Sequence, residues 1–299
     1  AKILYNKHRM SLTITEYFKL TKPGVLYLLM ITAGASMVLA TNFNLNFVKA
    51  LTGFIGIALI AGSSAAINQI LDFKYDSVME RTGKRPIVTG KISIFSATLF
   101  AIFLLFLGSA LILYFNNFLT WALTFATWIF YAFIYTKILK FSGVLNIVIG
   151  GLAGSMPPLL GWTAVVGTVD PLPLLLVLLI FIWTPPHFWA LAINKKDEYA
   201  KAGIPMMPVV KGIEYTKIQI VLYSILLLLV SLLLFATGHF GYLYLFGASI
   251  LGGIFIQKSW KLKNSVGADN SMSLFLYSII YLTLIFLLMI ADRAVISYV

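Results

Sequence analysis

Nine stretches of about 20 mostly apolar residues occupy most of this sequence and decide what it can fold into. They lie at roughly 25–41, 47–71, 92–115, 118–136, 144–166, 172–193, 218–237, 242–257 and 272–291. A helix of that length crosses the hydrocarbon core of a bilayer. The chain is also only 11% charged, whereas soluble domains carry about 25% charged residues. We therefore expect an all-α, polytopic membrane protein: a cytoplasmic segment, 1–24, followed by one domain of nine transmembrane helices, 25–299.

The content of metal-binding side chains excludes several classes of site. The sequence contains no cysteine and three histidines. Disulfides, iron–sulfur clusters and thiolate zinc sites are therefore excluded, and a multi-histidine metal site is not expected.

The positive charge is distributed very unevenly between the two sides of the predicted bundle. The net charge is +12, and 20 of the 22 Lys and Arg residues precede span one or follow spans two, four, six and eight. Only Lys49 and Arg293 fall on the other side. By the positive-inside rule, the amino terminus is cytoplasmic and the carboxyl terminus is outside. Topology accounts for the excess charge, so no nucleic-acid partner is predicted.

The first candidate site follows span two, where Asn68, Asp72 and Asp76 recur every four residues. Residues at that spacing lie on one face of a helix. The basic loop that follows contributes Arg81 and Arg85. Carboxylates hold Mg²⁺ while its shell is completed by water and phosphate oxygens, and arginine binds the remaining phosphate oxygens. The pattern therefore predicts a diphosphate–magnesium site in which Asp72 and Asp76 are the catalytic residues.

A second acidic cluster, Asn194, Asp197 and Glu198, follows span six. At a constant offset of 122 positions it aligns with the first: Asp72 with Asn194, Asp76 with Glu198, Pro86 with Pro208, and Gly90 with Gly212. This spacing indicates an internal repeat whose two acidic ends face one cavity. Because an amide is a weaker magnesium ligand than a carboxylate, either Asp197 supplies the charge or one metal is held mainly by the first motif.

The first motif resembles the signature of the UbiA superfamily of intramembrane prenyltransferases. Its matching positions are Asn68, Asp72, Tyr75, Asp76, Met79, Arg81, Thr82, Arg85 and Gly90. Three further stretches, 154–162, 184–192 and 202–210, resemble the protohaem farnesyltransferase family within it. Lys22-Pro23 and Tyr135-Thr136, with Lys140, are also similar to that family.

This resemblance implies a UbiA-type nine-helix bundle and a set of site residues. The implied metal ligands are Asn68, Asp72, Asp76, Asn194, Asp197 and Glu198. Lys22, Arg81, Arg85 and Lys140 would bind the diphosphate, and His187, Trp183 and Trp189 would contact haem. For His187, ligation of the haem iron competes with a hydrogen bond to a carbonyl freed by the neighbouring prolines, and with contact to the diphosphate.

The implied reaction is transfer of a farnesyl group from farnesyl diphosphate to a vinyl group of haem B, with Mg²⁺ as cofactor, giving haem O. The expected location is the inner membrane of a prokaryote, with a haem A synthase or a terminal-oxidase assembly as a possible partner. A UbiA-type enzyme acting on a quinone precursor or a lipid stays open as an alternative. A transporter is a weaker one, because its acids would be expected near the bilayer midplane.

Three groups of residues carry structural expectations. Pro157-Pro158 should break span five and Pro185-Pro186 span six. Gly150, Gly151 and Gly154 should allow close helix packing. Asp170, Asp269 and Asp292 are expected to be solvated.

Overall fold

The computed structural model describes residues 14–298, and all the regular structure in that part of the chain is helical. Residues 1–13, which include Lys2, Lys7 and Arg9 of the predicted cytoplasmic segment, lie outside the described residues. The helices are α1 (14–20), α2 (Pro23–Thr41), α3 (Phe47–Leu71), α4 (Phe73–Asp76), α5 (Ile94–Phe115), α6 (Phe118–Ile129), α7 (Asn146–Ser155), α8 (Pro157–Val166), α9 (Pro171–Asn194), α10 (Lys196–Lys201), α11 (Met207–Val210), α12 (Ile213–Ala236), α13 (Tyr242–Lys263) and α14 (Ser271–Tyr298). A π-helical segment, Phe130–Ile138, and a 3₁₀ turn, Leu139–Phe141, continue α6.

The nine predicted spans appear in order as nine helical segments. Eight of them, within the described residues, are long and apolar enough to cross a membrane. In this count, α6 together with its continuation to Phe141 forms one span, and α7 together with α8 forms another. The ninth is α13, which is 22 residues long and ends in Lys258, Lys261 and Lys263. The all-α, nine-helix prediction is confirmed.

Side-chain caps mark where three of the spanning helices begin. Asn46, Ser93 and Asn117 each accept a hydrogen bond from the backbone N–H three residues later, at 2.8–3.1 Å. Such caps satisfy amide groups that have no partner inside the helix. These polar residues therefore set the start of α3, α5 and α6.

Glycines allow several of the helices to approach closely. A Cβ atom on Gly161 of α8 would lie 2.3 Å from the backbone oxygen of Ala33 on α2. Gly150 and Gly151 are similarly crowded, by the Tyr135 ring and the Thr184 side chain. The predicted packing role is therefore confirmed for these two. It is wrong for Gly154, because nothing lies within 4 Å of the position a Cβ would take there.

The two largest apolar clusters hold different sets of helices together. The larger joins α9, α12, α13 and α14 through buried aromatic residues such as Trp183, Tyr281 and Phe286. The smaller joins α2, α3, α5 and α8 around Ile57 and Ile112. The last helix, α14, also packs against α2, which closes the bundle.

The two proline pairs behave differently. Pro157-Pro158 separates α7 from α8 as predicted. The predicted break at Pro185-Pro186 is wrong, because α9 continues through both prolines to Asn194. Each proline removes one helical hydrogen bond, but side-chain bonds from Trp183 and His187 to Ser278 on α14 fasten this part of α9.

The expectation that Asp292 is solvated is also wrong. Its side chain is buried, with 1% of the residue exposed. Its carboxylate accepts hydrogen bonds from the backbone N–H groups of Gly241 at 2.6 Å and Tyr244 at 2.9 Å. Asp292 therefore caps α13 from a neighbouring helix, whereas Asp269 is exposed as expected.

Candidate active site

The first acidic motif lies where α3 ends and the chain turns into α4. Asp72 is the residue after α3, and Asp76 is the last residue of α4. Both carboxylates are buried, with 4% and 3% of each residue exposed. Asn68 donates a hydrogen bond from Nδ2 to Asp72 Oδ2 at 2.9 Å. The four-residue spacing has therefore brought the amide and the first carboxylate together.

Three of the predicted phosphate-binding cations contact this motif. Lys140 Nζ lies 2.8 Å from Asp72 Oδ1. Arg85 pairs with Asp76, and Lys22 donates a hydrogen bond to Asn68 Oδ1. Burial raises the pKa of Asp76, and the Arg85 guanidinium opposes that shift. Because a buried charge without a partner is costly, Lys140 and Arg85 stabilise the two buried carboxylates.

The backbone at Lys22 is unusual. Its φ angle is +53°, which is left-handed and rare for a residue with a side chain. Gln69 fixes the preceding turn by donating to the backbone oxygens of Lys19 and Leu20 at 3.1 and 3.0 Å. This anchored turn directs the Lys22 ammonium towards Asn68 and towards the Tyr131 hydroxyl, 3.2 Å away.

The π-helical segment 130–138 also contacts the first acidic motif. Thr136 Oγ1 donates to the backbone oxygen of Tyr131 at 2.8 Å and accepts from Asn68 Nδ2 at 2.9 Å. The rings of Tyr131 and Tyr135 stack with centroids 5.6 Å apart. Short π-helical segments often occur at functional sites, and this one brings a hydroxyl and two phenols to the acidic motif.

The second acidic cluster is more open than the first. Glu198 forms an ion pair with Lys195 at 2.9 Å and accepts a hydrogen bond from the Arg81 backbone N–H at 3.4 Å. The Lys195 hydrogen bond lowers the pKa of Glu198. The two acidic loops therefore touch, and the predicted cavity between the two acidic clusters stays a prediction. Asn194, Asp197 and the Arg81 side chain are exposed, and no side-chain partner is found for them among residues 14–298.

The oxygen atoms of the first motif suit a hard divalent cation. Two carboxylates and an amide oxygen are the ligand types that Mg²⁺ accepts. Within the described residues, no three acidic or histidine side chains converge into a metal-binding group. A metal here would therefore draw its other ligands from substrate phosphate and water, as Mg²⁺ commonly does.

The predicted haem contacts separate into two environments. The His187 ring lies between Trp183 and Phe275, with centroid distances of 4.2 and 4.6 Å. Its Nδ1 atom lies 2.6 Å from Ser278 Oγ. Trp189 lies apart from this stack and packs edge-on against Tyr223 on α12.

The sequence predicted no role for three residues of these sites, although Thr136 belongs to a stretch that resembles the family. Tyr131 and Thr136 meet through a π-helical turn, which no residue pattern predicts. Ser278 is one of several buried serines inside the apolar spans, so its residue type alone does not distinguish it.

A family model and two similar proteins point to the same family. A family model described as the UbiA prenyltransferase family matches residues 28–288. A protoheme IX farnesyltransferase from Hahella chejuensis is 49% identical over 278 residues, covering 93% of each chain. One from Marinobacter nauticus is 48% identical over 288 residues, covering 96% of this chain and 95% of its own.

Solved structures share the fold at lower identity. A digeranylgeranylglyceryl phosphate synthase structure superimposes with a TM-score of 0.78 at 20% identity, covering 94% of this chain and 99% of its own. A UbiA homologue from Archaeoglobus fulgidus, solved with GPP and Mg²⁺, has a TM-score of 0.63 at 17% identity and covers 92% and 99%.

Proposed function

The chain belongs to the UbiA prenyltransferase family, and on that premise we propose that it transfers the farnesyl group of farnesyl diphosphate to haem B. It is a membrane-embedded prenyltransferase. The relatives that support haem as acceptor are protoheme IX farnesyltransferases almost half identical over nearly the whole chain.

The observation that carries the proposal is the buried cluster of Asn68, Asp72 and Asp76 with its three cations. Lys22, Arg85 and Lys140 each contact one member of the cluster. A diphosphate needs neutralising charge on several oxygens while its bond to carbon breaks. When a diphosphate binds, Lys140 and Arg85 turn from the carboxylates, and Lys22 turns from Asn68, to the phosphate oxygens. The carboxylates and the amide oxygen then become free to hold a metal.

Mg²⁺ is the metal that this site fits, and Asn68, Asp72 and Asp76 would hold it. Bound there, it would stabilise the negative charge that develops on the leaving diphosphate. Glu198 contacts the loop of the first motif at the Arg81 backbone N–H. We assign Glu198, with its sequence neighbours Asp197 and Asn194, to a second, weaker contact with the metal or its water.

The reaction balances without a redox cofactor. The bond between C1 of the farnesyl group and the diphosphate oxygen breaks, and the diphosphate keeps the electron pair. The vinyl π electrons of haem attack C1 and form the new carbon–carbon bond. Water adds to the cation that remains beside the porphyrin ring and loses a proton, which gives a hydroxyethylfarnesyl group.

The uneven charge distribution supports an orientation in which the acidic loops face the cytoplasm. We propose that the chain lies in the inner membrane of a prokaryote and takes up farnesyl diphosphate from the cytoplasmic side. The product, haem O, would pass to a haem A synthase or a terminal-oxidase assembly.

A single assay tests the function. The purified full chain is incubated with haem B, farnesyl diphosphate and Mg²⁺, and the porphyrins are separated and identified by mass spectrometry. Formation of haem O is expected. Prenylation of a quinone precursor or a lipid in parallel reactions, with haem B left unchanged, would reassign the acceptor.

A further inference from the structure

A histidine with one uncommitted ring nitrogen lies inside the bundle, away from the acidic motifs. Both faces of the His187 ring are covered, by Trp183 and by Phe275. Only the ring edge, with its two nitrogens, can therefore make a polar interaction. Nδ1 is 2.6 Å from Ser278 Oγ; for Nε2, no hydrogen-bond partner is found among the described residues.

The hydrogen bonds of Ser278 decide which nitrogen carries the proton. Ser278 Oγ also lies 2.5 Å from the backbone oxygen of Phe275 and donates to it. A serine hydroxyl has one proton and two acceptor sites. Since that proton is used, Ser278 must accept from His187. Nδ1 therefore carries the hydrogen, and the neutral ring keeps a lone pair on Nε2.

We propose that His187 Nε2 is the axial ligand of the iron in the haem substrate, and that Ser278 is the positioning residue that fixes its tautomer. This inference rests on the proposed function, which supplies haem. Neutral imidazole is the common axial ligand of haem iron. A metal-binding histidine usually donates its other N–H to a fixed acceptor, which orients the ring, and Ser278 provides that acceptor.

The depth of His187 suits an apolar macrocycle. It precedes Asn194 by seven residues, which is about 10 Å along a helix axis. Haem bound there lies on the membrane side of the acidic motifs, where a farnesyl chain would also extend. A polar side chain at such depth requires a partner, and iron gives Nε2 one.

The test compares a porphyrin that contains iron with one that lacks it. The full chain in detergent is titrated with haem B and, separately, with iron-free protoporphyrin IX, and absorbance is recorded. We expect His187→Ala to weaken haem B binding roughly tenfold or more and to shift the Soret band, while protoporphyrin IX affinity stays unchanged. His239→Ala is the matched control and should alter neither.

Two outcomes would overturn the proposal. One is an unchanged haem B spectrum and affinity in His187→Ala. The other is equal loss of both porphyrins in His187→Ala and in His187→Gln, which would mean that His187 only shapes the pocket.

Ser278 gives an independent readout. Ser278→Ala removes the acceptor but leaves the imidazole in place, so haem B affinity should fall roughly tenfold with only a small spectral change. The same loss for protoporphyrin IX would count against a positioning role. Haem O formation by the wild-type chain is measured in parallel. If His187 ligates the iron but no haem O forms, the proposed function is refuted and the ligation stands. If haem O forms but His187 does not ligate the iron, only this inference is refuted.

Discussion

Thr136 has a single hydroxyl proton, and the backbone oxygen of Tyr131 receives it at 2.8 Å. Thr136 can therefore only accept from Asn68, so the amide group of Asn68 turns its nitrogen towards Thr136 and Asp72. Its oxygen then faces the Lys22 ammonium. A residue outside the acidic motif thus decides that Asn68 offers an oxygen, the atom that a metal requires.

Replacing Thr136 tests this orientation. Thr136→Val keeps the shape but loses the hydroxyl, which costs about 1 kcal/mol, or roughly fivefold, in the binding of the metal. We expect the Mg²⁺ concentration for half-maximal haem O formation to rise accordingly. Thr136→Ser should restore it. An unchanged Mg²⁺ requirement in Thr136→Val would show that Asn68 is oriented without Thr136.

The two buried carboxylates should be indispensable to the reaction. Asp72→Ala or Asp76→Ala removes a metal-binding group and is expected to lower the transfer rate roughly a thousandfold, about 4 kcal/mol. Asp269→Ala changes an exposed carboxylate and should leave the rate near wild type. The measurement is initial haem O formation at saturating Mg²⁺; near-normal rates in both acidic variants would refute the metal site.

At residue scale, the sequence predicted the polar groups that share a helical face. Asn68 and Asp72 lie four residues apart, and that spacing alone brings them together. Thr136 and Ser278 escaped prediction because their roles depend on contacts between helices distant in the chain. Their hydrogen-bond partners lie 68 and 91 residues away.

Of all the glycines, Gly161 on α8 would place an added Cβ closest to the backbone of another helix, α2. Gly161→Ala would place a methyl group 2.3 Å from the Ala33 backbone oxygen, and the helices would have to separate. Overpacking of this kind costs about 1–3 kcal/mol, so we expect a lower unfolding temperature in detergent, measured by circular dichroism.

Gly253 on α13 is the matched control for that variant. It is exposed, and nothing lies within 4 Å of the position of an added Cβ. Gly253→Ala should be neutral or should stabilise the helix by about 0.5–1 kcal/mol. Equal unfolding temperatures for the two variants would show that the α2–α8 contact adapts to the methyl group.

The start of α13 depends on a carboxylate from α14. Asp292→Ala would leave the Gly241 and Tyr244 N–H groups without their acceptor, at a cost of about 2 kcal/mol in the free energy of unfolding. Asp292→Asn, which keeps one acceptor oxygen, should lose less. Thermal unfolding compares both with Asp269→Ala; a wild-type midpoint for Asp292→Ala would mean that water caps α13 instead.

At element scale, hydropathy predicted where the helices lie, and it failed where packing overrides local preference. Span two was predicted at 47–71 and α3 has those bounds. Pro185 and Pro186 were predicted to interrupt α9, but the helix continues through both, and fifteen of its residues, the two prolines included, are buried. The π-helical segment 130–138 was not predicted, because its apolar run resembles that of an ordinary α-helix.

At the scale of the whole molecule, the two acidic loops share one backbone feature. Gly90 and Gly212, equivalent in the repeat, both have positive φ angles, +70° and +86°. Each is followed closely by a spanning helix, α5 or α12. Glycine adopts such angles with little strain, which accounts for a glycine at both of these equivalent positions.

The charge asymmetry makes a prediction about the orientation of the whole bundle. Of the two basic residues on the opposite side, Arg293 bonds to Asn42 Oδ1 and to the His239 backbone oxygen, both at 2.9 Å. It therefore serves to join loops, and the loops on that side carry almost no free positive charge. By the positive-inside rule, the acidic loops should face the cytoplasm.

Fusions placed in the connections test that orientation directly. Alkaline phosphatase, which is active only outside the cytoplasm, should be inactive after Gly90 or Gly212 and active after Gly167 or Gly238. A fluorescent protein that matures only in the cytoplasm should give the reverse pattern. The paired reporters control for poor expression of any one fusion. Phosphatase activity after Gly90 would invert the bundle and would place both acidic loops, with their diphosphate site, on the outer side.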